Sequence, residues 1–142
     1  MGAGALIASD THALIWAVEG SDRLGPRAIE AVETAAASGS LCVSAITLWE
    51  IAMLADKGRI VFASGVRRWI ETLLSRRGIR LIALEPAIAI DAGCLPGIIH
   101  GDPADRMIVA TARFLACPLL TADERILDYA RAGHVAARDA RL

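Results

Sequence analysis

Short apolar runs alternate with helical stretches along this 142-residue chain. Leu6-Ile7-Ala8, Leu41-Cys42-Val43, Ile79-Arg80-Leu81-Ile82 and Pro118-Leu119-Leu120-Thr121 are the runs, each three or four residues long. So short and so apolar a segment reads as a strand buried on both faces, which is how strands of a parallel sheet behave when helices cover it. Between them, helical patterns span His12 to Val18, Arg27 to Ala37, Ala45 to Ala55, Val66 to Arg76, Pro86 to Leu95, Asp102-Pro103 to about Ala116, and Asp123 to Ala132. Ser44 is a good N-cap for the third of these, and Pro86 and Pro103 suit a first helical turn. Gly133-His134-Val135-Ala136 is expected to add a short edge strand. The pattern predicts one α/β domain over residues 1–142, a mainly parallel four- to five-stranded sheet flanked by helices. Met1 to Ala5, small and Gly-rich, reads as a loose leader.

Composition narrows the chemistry. A 55% apolar content argues for a packed globular domain, and a net charge of −1 supplies no overall basic field to attract nucleic acid. Local arginines or bound cations would have to do that, and Lys57 is the only lysine. Cys42, Cys94 and Cys117 are odd in number and widely spaced, which fits three buried thiols in a reducing cytoplasm and neither a disulfide framework nor a zinc site. No apolar run approaches the roughly 20 residues that span a membrane. Cytoplasmic residence is the expectation.

In a parallel sheet, ligands bind beyond the C-terminal strand ends, where strand order reverses. Acids fall in those places. Asp10 follows the first strand and Asp123 the fourth; each also suits a helix N-cap, with Thr11 as a competing cap beside Asp10. Asp102 precedes Pro103 as a cap, and Asp105 follows in the first turn of a mostly apolar helix. Glu50 shares a helix face with Ile46, Met53 and Leu54, so its carboxylate is either paired, bound to a cation, or solvated at a rim. Convergence of Asp10, Glu50, Asp105 and Asp123 at one sheet edge would raise their pKa values unless cations neutralised them. Hard oxygen donors suit Mg²⁺ or Mn²⁺, and such a site suits hydrolysis of a phosphodiester.

The segments Leu6 to Trp16, Val43 to Ala52, Asp102 to Ile108 with Ala110-Thr111-Ala112, and Leu119 to Asp123 together resemble PIN-domain proteins, above all the VapC-like toxins of bacterial toxin–antitoxin pairs. The resemblance implies an acidic quartet of Asp10, Glu50, Asp105 and Asp123, with Asp102, Arg106, Thr11 and Thr121 as supporting residues. It further implies an endoribonuclease using Mg²⁺ or Mn²⁺, an RNA substrate, a homodimer and a cognate antitoxin. Ala104 stands where an aromatic residue is common. A non-catalytic binding module on the same fold, serving as antitoxin partner or RNA scaffold, is the competing reading. An aspartyl-phosphate receiver is excluded, because Asp10 lacks an acid two residues on and Lys57 follows an early helix.

Among the remaining residues, His12 and His100 flank the acids, where they could touch substrate, but the expectation is that they are solvated loop histidines. Arg67-Arg68 and Arg76-Arg77 are expected to form a solvated helix face. Trp16 and Trp49 are expected in the core or at a dimer surface, since Trp16, Trp49 and Trp69 exceed what one small core readily hides.

Overall fold

The computed structural model describes residues 5–142. Its elements in chain order are β1 (Ile7–Ser9), α1 (Thr11–Glu19), α2 (Pro26–Ala37), β2 (Leu41–Ser44), α3 (Ala45–Asp56), α4 (Val66–Leu74), β3 (Ile79–Ile82), α5 (Pro86–Gly93), α6 (Pro103–Leu115), β4 (Leu119–Thr121), α7 (Glu124–Arg131) and β5 (Ala137–Asp139). The strands form one five-stranded sheet in the order β3-β2-β1-β4-β5. All of its pairings are parallel, with Ser9 opposite both Val43 and Leu120. The chain first winds outward from β1 through β2 to β3, then returns to the other side of β1 for β4 and β5. Strand order therefore reverses between β1 and β4, and a crevice opens above their C-terminal ends.

Alternation along the strands divides the core into layers. Ala8, Cys42 and Leu119 pack with Ile88, Ile108, Ile126 and Tyr129 on the α5–α6–α7 side. Their neighbours Ile7, Leu41 and Leu120 pack with Ala13, Leu24 and Ala28 on the α1–α2 side. A third cluster joins Val43 to Leu14, Ile51 and Leu73, with Phe62 and Trp69 against it. Burying a side chain the size of Ile108 or Leu119 contributes about 1.5–3 kcal/mol, so the sheet is held from both faces.

The expected elements form, with one displacement. Gly133–Ala136 is not the edge strand; β5 begins at Ala137, opposite Leu119. Gly133 has φ +90°, and its amide and that of His134 bond back to the carbonyls of Ala130 and Tyr129. These residues terminate α7, so pairing starts only once the chain has straightened. The expected leader falls almost wholly outside the described residues. The thiols are all free, but Cys94 is exposed at the end of α5, so only Cys42 and Cys117 are buried as expected. Among the described residues no helix is long and apolar enough to cross a membrane.

Candidate metal centre

Each acid reaches the crevice on a different element. Asp10 leaves β1 in extended conformation, and its Oδ1 accepts from the Ala13 amide at 2.9 Å, capping α1. Its Oδ2 accepts from the Thr121 hydroxyl at 2.5 Å. Thr121 ends β4, so this bond spans the place where strand order reverses. Asp10, not Thr11, is the cap. The Thr11 hydroxyl instead donates to Oε1 of Glu50, one turn and a half into α3. Glu50 is thus half-buried in the crevice and held by a neighbour.

Asp102 caps α6 by accepting from the Asp105 amide at 3.0 Å. Asp105, in the first turn, meets Nε2 of His100 at 2.7 Å through Oδ2. Asp123 caps α7 by accepting from the Arg125 amide at 2.8 Å, and its own amide donates to the Thr121 hydroxyl at 3.0 Å. The Arg125 guanidinium lies 3.2 Å from Asp123 and 3.9 Å from Asp105. Capping and clustering were alternatives in the sequence; here the same carboxylates do both, because a carboxylate has lone pairs to spare after one amide is satisfied.

Asp10, Glu50, Asp102, Asp105 and Asp123 line one cleft of about 380 Å³ together with Thr11, His12, Trp16, Ala122 and Arg125. Arg106 does not reach it. Its Nε donates to the Ala92 carbonyl at 2.8 Å and ties α6 to α5, a support of the helix that carries Asp105.

The electrostatics follow from burial and crowding. Burial pushes Asp10 from 3.8 up to about 6, against the bonds from Thr121 and Ala13. Burial also raises Glu50 above its ordinary value, opposed by the Thr11 bond and reinforced by the charges of Asp105 and Asp102. Asp105 is raised by burial, opposed by His100 and reinforced by Asp102 and Asp123. At Asp123 burial acts upward too, but the side-chain and backbone bonds of Arg125 outweigh it and hold the carboxyl low. Three carboxylates that resist ionisation, facing one exposed arginine, form a site short of positive charge. The donors are hard oxygens, which fits Mg²⁺ or Mn²⁺. The tightest group is His100, Asp105 and Asp123, each offering a ligand-type atom within 4.8 Å of the others.

Two residues of the site were not expected from the sequence. His100 is no solvated loop histidine: its side chain is 13% exposed and bonded to Asp105. Arg125 had a faint signal, a basic residue two places after an acid at a helix start. His12 is exposed but sits on α1 at the cleft, where its charge favours ionised Asp10 and Glu50. Trp16 packs half-buried against the α1–α2 side of the core, as expected, and its outer part lines the cleft wall with Arg23 5.9 Å from its ring. Trp49 is 55% exposed, as a surface residue should be. Trp69 stacks on Phe62 at 4.6 Å.

Comparison with known proteins places this geometry. A family model described as "PIN domain" matches residues 7–132. Ribonuclease VapC22 of Mycobacterium tuberculosis (strain ATCC 25618 / H37Rv) is 37% identical over 117 residues, covering 82% of this chain and 86% of that protein. Among solved structures, VapBC2 from Rickettsia felis bound to a promoter DNA fragment superposes with a TM-score of 0.68 at 18% identity, covering 94% of this chain and 97% of that one. VapBC-1 from nontypeable Haemophilus influenzae gives 0.67 at 19% identity, covering 96% of this chain and 99% of that one. At such identities the structural likeness concerns the fold.

Proposed function

The chain belongs to the PIN-domain family, and from that premise we propose that it is a metal-dependent endoribonuclease, the toxin of a toxin–antitoxin pair. One observation carries the reading: four carboxylates from separate segments, Asp10, Glu50, Asp105 and Asp123, share one cleft, and three of them resist ionisation. The similarity to Ribonuclease VapC22 supplies the substrate class.

Asp105 and Asp123, with Asp10 and Glu50, would hold Mg²⁺ or Mn²⁺. Such a cation supplies the charge that acidifies a water and offsets what develops on a phosphate during in-line displacement. The protein's own part is positional. Thr121 and the Ala13 amide fix Asp10, Thr11 fixes Glu50, and Asp102 shapes the turn that presents Asp105. Arg125 is the one arginine lining the cleft among the described residues and offers a cationic contact for an RNA phosphate beside the acids.

The partners follow from the same family. A cognate antitoxin is supported by the likeness to VapBC complexes. A homodimer is supported by exposed apolar side chains, Trp49, Ile90, Ile98 and Phe114.

Cleavage of a structured RNA in Mg²⁺ or Mn²⁺, with an EDTA arm, tests the reading through two variants three residues apart. Asp105→Asn keeps shape but removes a charge from the centre; cleavage falls by orders of magnitude while the fold melts almost normally. Asp102→Ala costs about 1 kcal/mol of stability, the usual value of a cap, and retains most activity where the protein is folded. Full activity in Asp105→Asn, or in EDTA, contradicts the metal mechanism.

A further inference from the structure

His100 stands in the tightest group of potential ligands, and its ring decides what kind of centre this is. Its Nε2 is 2.7 Å from Oδ2 of Asp105, and its Nδ1 is buried with no hydrogen-bond partner among the described residues. A neutral imidazole carries one proton, on one nitrogen or the other. With the proton on Nδ1, a buried donor would lack an acceptor, and the Nε2 lone pair would face a carboxylate oxygen at hydrogen-bond distance. Both are unfavourable. With the proton on Nε2, a charge-assisted N–H···O⁻ bond forms at its ordinary length, and the only unpaired atom is a bare acceptor. Any form with a proton on Nδ1 leaves the buried donor unpaired.

We propose that His100 is a positioning residue in the Nε2–H tautomer: it donates to Oδ2 of Asp105, orients that carboxylate toward Asp123, and is not itself a metal ligand. The proposal rests on the metal reading of the cleft and adds to it. A nitrogen that holds a proton has no lone pair for a cation, so the donors toward metal remain carboxylate oxygens although a histidine stands within ligand distance. Ligation through Nε2, the nitrogen that faces Asp105, would require the proton to move to Nδ1, where nothing accepts it, and Nδ1 itself is buried. The hydrogen bond also removes one oxygen of Asp105 from competition with Arg125, whose guanidinium is 3.9 Å from that same Oδ2. An Asp105 side chain without His100 is free to turn to Arg125 instead, and the arginine would then close the site against a cation.

Two measurements test this. The first is long-range ¹H–¹⁵N correlation of the histidine rings in the metal-free protein and again with saturating Mg²⁺, the His100 signals being assigned by their loss in His100→Gln. The expected pattern is Nε2–H with unprotonated Nδ1 in both states. An Nδ1–H pattern in the Mg²⁺ state overturns the proposal.

The second is the Mn²⁺ dissociation constant of the wild type, His100→Gln and His100→Leu. The Gln amide places a donor near the position of Nε2, so its affinity stays within about threefold of the wild type. Leu keeps the bulk without the donor, and affinity weakens about 10- to 100-fold, as for other groups that orient ligands. Equal Mn²⁺ affinity in the wild type and His100→Leu overturns the positioning role while leaving the metal centre standing. Equal losses in Gln and Leu make His100 a ligand and overturn the proposal. A wild-type protein that takes up no Mn²⁺ fails the metal reading, and the proposal falls with it.

Discussion

Asp123 and Glu124 are neighbours in sequence and belong to two carboxylate clusters of opposite character. On one side of the start of α7, Asp123 joins Asp10, Glu50, Asp102 and Asp105 in a cleft that contains one arginine, Arg125. On the other, Glu124 pairs with Arg141 at 2.6 Å and Arg131 at 3.8 Å, Asp139 pairs with Arg141 at 2.7 Å, and Asp128 with Arg131. Asp139 is held below its ordinary pKa by the Arg141 side chain, whereas Asp10, Glu50 and Asp105 are pushed above theirs by burial. The same residue types are therefore compensated at the β5 rim and uncompensated at the switch between β1 and β4. At the rim Glu124, Asp128 and Asp139 each have an arginine at salt-bridge distance, whereas Asp10, Glu50 and Asp105 in the cleft have no arginine of their own, Arg125 sitting on Asp123 at 3.2 Å and 3.9 Å from Asp105. Acids gathered without such a partner destabilise the metal-free fold and are suited to bind what they lack.

The sharpest break between the clusters is expected in activity. Glu50→Gln lowers RNA cleavage by orders of magnitude, while Asp139→Asn, equally conservative, leaves it unchanged; a gel-based cleavage assay at saturating Mn²⁺ separates them. Comparable losses in both variants would mean that the cleft has no special role.

Next in size is pH dependence. Asp10 has a folded pKa near 6 against 3.8 unfolded, so folding favours its protonated form. The stabilisation is complete below about pH 4 and is lost as pH rises through about 6. The loss is on the order of 2–3 kcal/mol for this nearly buried group. Glu50 and Asp105 act in the same direction, and Asp123, held low, opposes them. Urea unfolding in EDTA should show the metal-free protein less stable at pH 7.5 than at pH 5, with Asp10→Asn flattening the slope. A stability that rises over that range would contradict the assignment of charge deficit to the cleft.

The smallest effect belongs to the compensated rim. Arg141→Ala breaks exposed pairs that are screened by water and salt, so neither the melting temperature nor cleavage should change measurably. A marked fall in cleavage would show that the two clusters communicate through α7.

The sequence discloses the two kinds of cluster unequally. Asp10 and Asp123 are legible because strand ends and helix starts are local signals, and a parallel sheet carries both to one edge. Glu50 is legible as an anomaly, a carboxylate beside Ile46, Met53 and Leu54. Its partner Thr11 lies 39 residues away, and such pairing is set by the packing of α1 on α3, which no window reveals. His100 reads as a loop residue because its bond to Asp105 depends on how the loop before α6 folds back. The edge strand is misplaced because the apolar Val135 and Ala136 resemble a strand, while the αL-type turn at Gly133 uses Gly133 and His134 to end α7, so the ladder with β4 begins only at the Ala136 carbonyl, which accepts from the Leu119 amide. Arg125 and Arg141 look alike in sequence; only the fold decides that one faces a cleft and the other a rim.

Calorimetric titration of the metal-free protein with Mn²⁺ at pH 7.5 tests the contrast most directly, using the wild type, Asp105→Asn and Asp139→Asn. The wild type and Asp139→Asn should bind with the same dissociation constant, and Asp105→Asn at least about tenfold more weakly, since it loses a charged oxygen donor. Indistinguishable isotherms for all three proteins would contradict the claim that the uncompensated acids form a metal centre.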